Sequence, residues 1–199
     1  MEVKRCEWCE SSDLYRCYHD TEWGTPSFDD KVHFEFLVLE SAQAGLSWIT
    51  ILKKRENYRK AYDGFDPKKV ARYNEVKITA LLDNPGIIRN RLKIESSINN
   101  AKLFLEIQKE FGSFSEYIWG FCGGKPVTGK WKTLAEIPAR TELSDRIAAD
   151  LKKRGFKFLG SVILYSHLQA TGVVNDHIRS CYRYKELKEQ MPQALTRKP

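Results

Sequence analysis

Apolar residues recur along most of this chain at the three- and four-residue steps of an amphipathic helix, and no stretch alternates as a half-buried strand would. Between Asp30 and Gly45 they fall at Val32, Phe36, Leu37, Leu39 and Ala44, with Ser27 at capping-box spacing ahead of Asp30. The spacing predicts a second helix from Ser47 to Tyr62 with one basic face. A third opens at Asp66-Pro67, where proline suits a first turn. Asn74 caps a fourth, which runs through Ile78, Leu81 and Leu82 and stops near Pro85-Gly86. A long helix follows from Arg89 to Phe111, with Ile94, Ile98, Ala101, Phe104 and Leu105 on one face. Gly112 ends it and Ser113 to Glu116 opens the next. Gly120 to Arg140 holds Gly123, Gly124, Gly129, Pro126 and Pro138, the pattern of a long loop. Ser144 begins a helix that ends at Gly155, and another runs from near Ser161 to near Gly172. The expected fold class is all-α, one domain over residues 1–184, with no repeat or linker. The basic tail 185–199 is expected to fray.

Composition narrows the class. Of 199 residues, 42% are hydrophobic and 12% aromatic, enough for a true core and against a disordered chain. No apolar run is long enough for a membrane span. Met1 to Cys6 lacks an apolar signal region, so a cytoplasmic protein is expected. A net charge of +7, from 33 Lys+Arg against 26 Asp+Glu, suits an anionic partner such as nucleic acid. The five cysteines are an odd set, which argues against a disulfide framework and leaves room for a metal.

Three clusters carry candidate chemistry. His177 and Cys181 are four apart, one turn of a helix, and the N-terminal segment supplies Cys6, Cys9, Cys17 and His19. Zinc takes four tetrahedral S/N ligands, and a site joining both ends would have structural value. Spacing alone does not choose among the N-terminal four, and the competing reading is cysteines packed as small hydrophobes. The second cluster is the turn Gly155 to Ser161 between two helices. Backbone N–H groups at Gly160 and Ser161 can face a phosphate there, with Lys152, Lys153, Arg154 and Lys157 adding charge. The run Lys53 to Lys60 reads as a solvated face, and Arg89 and Arg91 offer a second phosphate contact. The third cluster is aromatic. Trp8, Tyr15, Tyr18, Trp23 and Trp48 lie among few aliphatics, which suits a pocket for a flat, cationic ring as well as ordinary packing. Glu40 interrupts Leu37-Val38-Leu39. On a buried face an unpaired carboxylate is costly, so it needs a partner or a ligand, unless the helix turns it to water.

In several ordered segments the chain resembles the 3-methyladenine DNA glycosylase I family. The segments are Tyr18-His19-Asp20-Thr21-Glu22-Trp23-Gly24, Gln43-Ala44-Gly45-Leu46-Ser47-Trp48-Ile49, Leu52 to Arg59, Gly86-Ile87-Ile88-Arg89, Lys153 to Phe158 and Gly172 to His177. The resemblance implies a helix-hairpin-helix glycosylase fold. It implies hydrolysis of the N-glycosidic bond of 3-methyladenine in double-stranded alkylated DNA by a monomer, freeing the base and leaving an abasic site. It also implies one structural zinc on Cys6, His19, His177 and Cys181, with Cys9 and Cys17 spare. The family's base pocket falls on Glu40, with Tyr15, Tyr18 and Trp48 around the base and Trp8 and Trp23 nearby. Leu46 falls where the family sends a side chain into the duplex, and Gly155, Lys157, Gly160 and Ser161 on its DNA-gripping turn. The expected role of Glu40 is recognition, with electrostatic support for the developing sugar cation, rather than general base. Asp176 is expected to orient the ligand His177. A different class remains open, a zinc-stabilised DNA-binding module without chemistry. The aromatic set with Glu40 discriminates, because a pure binder has no use for it.

Overall fold

The computed structural model describes residues 3–194, which form ten α-helices and one two-strand pair. In order they are α1 (Asp13–Thr21), α2 (Asp30–Gln43), α3 (Trp48–Ala61), α4 (Pro67–Val70), α5 (Glu75–Asp83), α6 (Arg91–Phe111) and α7 (Phe114–Gly120). Then come β1 (Val127–Thr128), α8 (Glu142–Lys153), α9 (Ser161–Ala170), β2 (Val174–Asn175) and α10 (Tyr182–Ala194). None of these helices is long and apolar enough to cross a membrane.

α2 is the centre of the molecule. Every residue from His33 to Ala42 is buried, so it has no solvent face, as a helix enclosed on all sides must. Phe34, Leu37 and Leu39 join the main core with Phe104 of α6, Phe114 of α7 and Leu164 of α9. A smaller core of Cys6, Tyr18, Trp23, Phe36, Leu52 and Cys181 joins the two chain ends beside α2.

Side-chain caps set most helix starts. Asp29, not Ser27, caps α2, accepting from the Lys31 N–H at 2.8 Å. Asn90 caps α6, and Thr141 and Ser144 form a reciprocal capping box on α8, two residues ahead of the expected start. The early aromatic segment, poor in aliphatics, contains α1, capped by Ser12. Its stability comes from aromatic packing rather than from aliphatic periodicity. The long loop after α7 is pinned by β1 to β2 in parallel, with Val127 opposite Val174 and Thr128 opposite Asn175. From 185, where fraying was expected, the helix continues to Ala194 and Leu187 is buried. Residues 195–199 of that tail lie outside the described residues.

α8 and α9 form a tight helical hairpin. Gly155 ends α8 at φ +97°, a conformation open to glycine and strained for other residues. The turn is held from α6. Asn99 Nδ2 donates to the Gly155 carbonyl at 3.0 Å, and Asn100 both donates to the Lys157 carbonyl and accepts from its N–H, at 2.8 and 2.9 Å.

The basic run of α3 is a solvated face at Lys53 and Lys60, which are exposed, but not at its two arginines. Arg55 bridges Glu22 and Glu35, and Arg59 also binds Glu35, so both lie over a buried carboxylate of α2. Arg91 pairs with Glu75 and Glu95, and Arg154 with Glu110 and Asp150. Those arginines are occupied within the protein.

Candidate functional site

α1 presents Tyr15, Tyr18 and His19 at i, i+3 and i+4, one stripe of one helix. The stripe faces two places at once. Its tyrosines line a cavity of about 400 Å³, within the range of small-ligand sites. Its histidine enters a buried Cys/His cluster.

The cavity is walled by Trp8, Tyr15, Tyr18, Trp23 and Trp48, with Glu40 of α2 opening into it. The rings brace each other. Trp8 meets Tyr15 edge-on at 5.3 Å between centroids and Trp23 at 5.1 Å, and Tyr18 lies 5.7 Å from Trp48. The Trp48 indole N–H is buried with no partner. Sequence reasoning missed the opposite wall, built by Tyr165 and Gln169 of α9 and by Leu134 to Ala139 of the long loop. Those residues carry no local motif, and only the folded path of the loop brings them here.

Glu40 is 3% exposed and makes no hydrogen bond or ion pair with any described residue. Burial pushes its carboxyl up to about 8. The contrast with Glu35 on the same helix is informative. Glu35 is equally buried, yet two arginines neutralise it. Burial also raises the phenols of Tyr15 and Tyr18, the latter with a smaller push from Glu40, so both stay neutral donors.

The four cluster residues are Cys6, His19, His177 and Cys181, all buried, with ligand atoms within 4.8 Å of one another. Cys9 is not among them, since its thiol turns to the Cys6 carbonyl, and Cys17 is exposed. His177 to Cys181 is a turn rather than the expected helix face, tightened by the Cys181 N–H bonding to the Ile178 carbonyl at 2.8 Å. The separations suit a tetrahedral ion. His19 Nε2 lies 3.1 Å from His177 Nδ1, Cys181 Sγ 3.5 Å from each of these nitrogens and Cys6 Sγ 3.6 Å from His177 Nδ1. Zinc–nitrogen and zinc–sulfur bonds of about 2.05 and 2.3 Å at tetrahedral angles need edges of about 3.4 Å (N–N) and 3.6 Å (N–S).

The protons are also in the right places. The Trp23 carbonyl can only accept, so His177 Nε2, 2.9 Å away, carries the hydrogen and Nδ1 is bare. Asp20 accepts from His19 Nδ1 at 2.8 Å, which leaves Nε2 bare, and Arg5 holds Asp20 in turn. These outer partners fix the orientation of both rings, with one nitrogen of each turned to the cluster. Asp176 therefore does not orient His177. Its carboxylate lies on Trp131, Tyr165 and Gln169 instead.

Two exposed elements flank the cavity. Leu46 is 42% exposed on the loop between α2 and α3. Lys93 Nζ holds that loop by donating to the carbonyls of Ala42 and Ala44 at 2.9 and 2.7 Å. The hairpin presents exposed Lys157 and the start of α9, where Gly160 supplies no side-chain cap and Ser161 is the first helical residue.

The methyladenine glycosylase family profile matches residues 8–184. The chain is 47% identical to DNA-3-methyladenine glycosylase 1 of Escherichia coli K12 across 92% of its own length and 97% of the relative's. It superposes on a crystal structure of 3-methyladenine DNA glycosylase I with a TM-score of 0.87 at 48% identity, covering 90% of this chain and 98% of that one. A single-residue variant of 3-methyladenine DNA glycosylase I, crystallised in complex with 3-methyladenine, gives a TM-score of 0.86 at 38% identity, covering 89% and 96%.

Proposed function

Since this chain belongs to the methyladenine glycosylase family, we propose that its aromatic cavity receives 3-methyladenine swung out of double-stranded DNA, and that Glu40 selects it by charge. The activity is hydrolysis of the N-glycosidic bond, which frees the base and leaves an abasic site. A base must leave the stack before any pocket can hold it, and a damaged pair does so at lower cost. N3-alkylated adenine in DNA is cationic and already a good leaving group, so recognition matters more than acid catalysis. The observation that carries the reading is the contrast between the two buried acids of α2. Glu35 is neutralised, whereas Glu40 is left without a partner inside an aromatic box. Tyr15, Tyr18 and Trp48 stack around the cation, and Trp8 and Trp23 brace them. A DNA-binding module without chemistry has no reason to bear the cost of that carboxylate.

The direct test is release of free 3-methyladenine from methylated DNA, followed against pH. Burial raises the Glu40 carboxyl, so in the free enzyme its charge is lost as pH falls through about 8. Accordingly, kcat/KM for excision rises with pH up to that region, and the limb disappears in Glu40→Gln. A profile identical in the two proteins removes the charge-selection argument.

The hairpin from α8 to α9 acts as a helix-hairpin-helix clamp on the DNA backbone. Gly155 allows the turn, Lys157 adds charge, and the N–H groups at Gly160 and Ser161 face a phosphate with the helix dipole behind them. Leu46 fills the gap left by the displaced base. Nothing lies within 4 Å of a Cβ built on Gly160, so Gly160→Asp folds without a clash. Its carboxylate would cap α9, adding roughly a few tenths of a kcal/mol of stability over glycine, and would repel the phosphate. The variant should melt higher than the parent and bind duplex DNA at least tenfold more weakly, a loss of about 1.4 kcal/mol. Calorimetry and a salt titration of binding read the two effects separately.

Cys6, His19, His177 and Cys181 hold one zinc whose place is structural, because four protein ligands leave no open position. Clamp, wedge, cavity and cluster all belong to one chain, which supports action as a monomer.

A further inference from the structure

Asp176 is buried, at 1% exposed, and accepts three hydrogen bonds from neutral donors. Two of those donors, Tyr165 and Gln169, line the cavity, and Gln169 Nε2 donates at 2.9 Å. The third is the indole N–H of Trp131, at 2.6 Å, which belongs to the long loop that continues into the cavity wall at Leu134 to Ala139. Gly129 makes this approach feasible. A Cβ there would sit 2.3 Å from Trp131 Nε1 and 2.4 Å from Asp176 Oδ1, so no larger residue fits while the indole bonds to the carboxylate. The backbone secures the same place, with the Gly129 N–H bonding to the Asn175 carbonyl at 2.9 Å and the Arg179 N–H to the Trp131 carbonyl at 2.8 Å.

We propose that Asp176 and Trp131 are positioning residues that lock the loop wall of the base cavity onto its α9 wall, and so set the width of the slot that grips the methylated base. Asp176 itself does not line the cavity; it acts through the side chains that do. Besides this tie, the loop is fixed by backbone contacts, the two-residue β1–β2 pairing and the Arg179 N–H on the Trp131 carbonyl, none of which holds a side chain of the wall against α9. A wall held by one carboxylate with three donors has a single geometry, whereas a loop without that tie samples many. The proposal rests on the pocket reading given above.

The test uses Trp131→Phe, which deletes only the indole donor, and Gly129→Ala, whose added methyl forces the indole away from the carboxylate without removing either group. Both leave residues 176–181 chemically intact. Four quantities are read at a temperature well below melting: affinity for free 3-methyladenine, kcat/KM for excision, affinity for undamaged duplex, and zinc per chain. Each variant should lose about tenfold in base affinity and in kcat/KM, the loss expected of one buried hydrogen bond to a charged group. Duplex affinity and zinc content should not move. Because both act through one contact, the double variant should lose little more than either alone. Wild-type base affinity in both single variants would overturn the proposal, and so would fully additive losses. If the parent protein binds no free base, the pocket reading fails first, and the clamp falls with it.

Discussion

Glu40→Gln lowers excision of 3-methyladenine roughly a hundredfold, the scale on which one preorganised electrostatic contact counts in an enclosed site. Affinity for undamaged duplex is unchanged, because hairpin and wedge lie outside the cavity. The neutral amide keeps the size of the side chain and removes only the charge facing the cationic base. The same substitution stabilises the protein, and the sign follows from the protonation equilibrium. Glu40 ionises at about 8 in the fold against 4.5 when free, so the fold prefers its neutral form. Below pH 4.5 both states are protonated and burial of this group carries no charge penalty. The penalty grows as pH rises from 4.5 and is complete above 8, where it reaches at most about 5 kcal/mol. Thermal melts should therefore show the variant above the parent at pH 8, with the two curves converging below pH 4.5. Equal loss of excision and of duplex binding would show that the substitution damaged the fold rather than the pocket.

Removing the metal should have the largest effect on stability. Elemental analysis should find one zinc per chain, and a strong chelator should lower the melting point sharply, as should Cys6→Ala or His177→Ala. Zinc bound by such ligand sets carries on the order of 10 kcal/mol of apparent binding energy, comparable with the whole stability of a domain. Without it, two thiols and two imidazoles meet in the small core that joins the ends of the chain, at the centre of that junction. Because His19 shares a stripe of α1 with Tyr15 and Tyr18, the cavity should be lost with the cluster. A metal-free protein that melts like the parent would remove the structural role.

Much of this fold could be read from residue spacing, for reasons visible in particular elements. α6 and α8 each set one apolar face against a common core, so their periodicity survives in the sequence. α2 was also legible, over Asp30 to Gly45, but a helix buried on all sides has no polar face to mark its register, so only the oddity of Glu40 among leucines pointed to its role. α1 was missed because its packing residues are tryptophans and tyrosines rather than aliphatics. The cluster ligands were present among the candidates, but the helical argument for His177 and Cys181 was wrong. A turn brings them together, and the choice of Cys6 over Cys9 came from family resemblance rather than from spacing. The loop wall of the cavity left no local trace, since the contact that ties this loop down is made by Trp131 to Asp176, 45 positions later.

Cys6 meets His177 across 171 positions, so the segment around Cys6 cannot finish its structure until the chain around His177 has been made. During translation the aromatic side of the cavity emerges well before its counterpart on the long loop and α9. Nascent chains, and any that stop short of Cys181, therefore lack part of the core that covers the cluster thiols and Trp23. Such products would be marked for chaperones and proteases rather than released as weak repair enzymes.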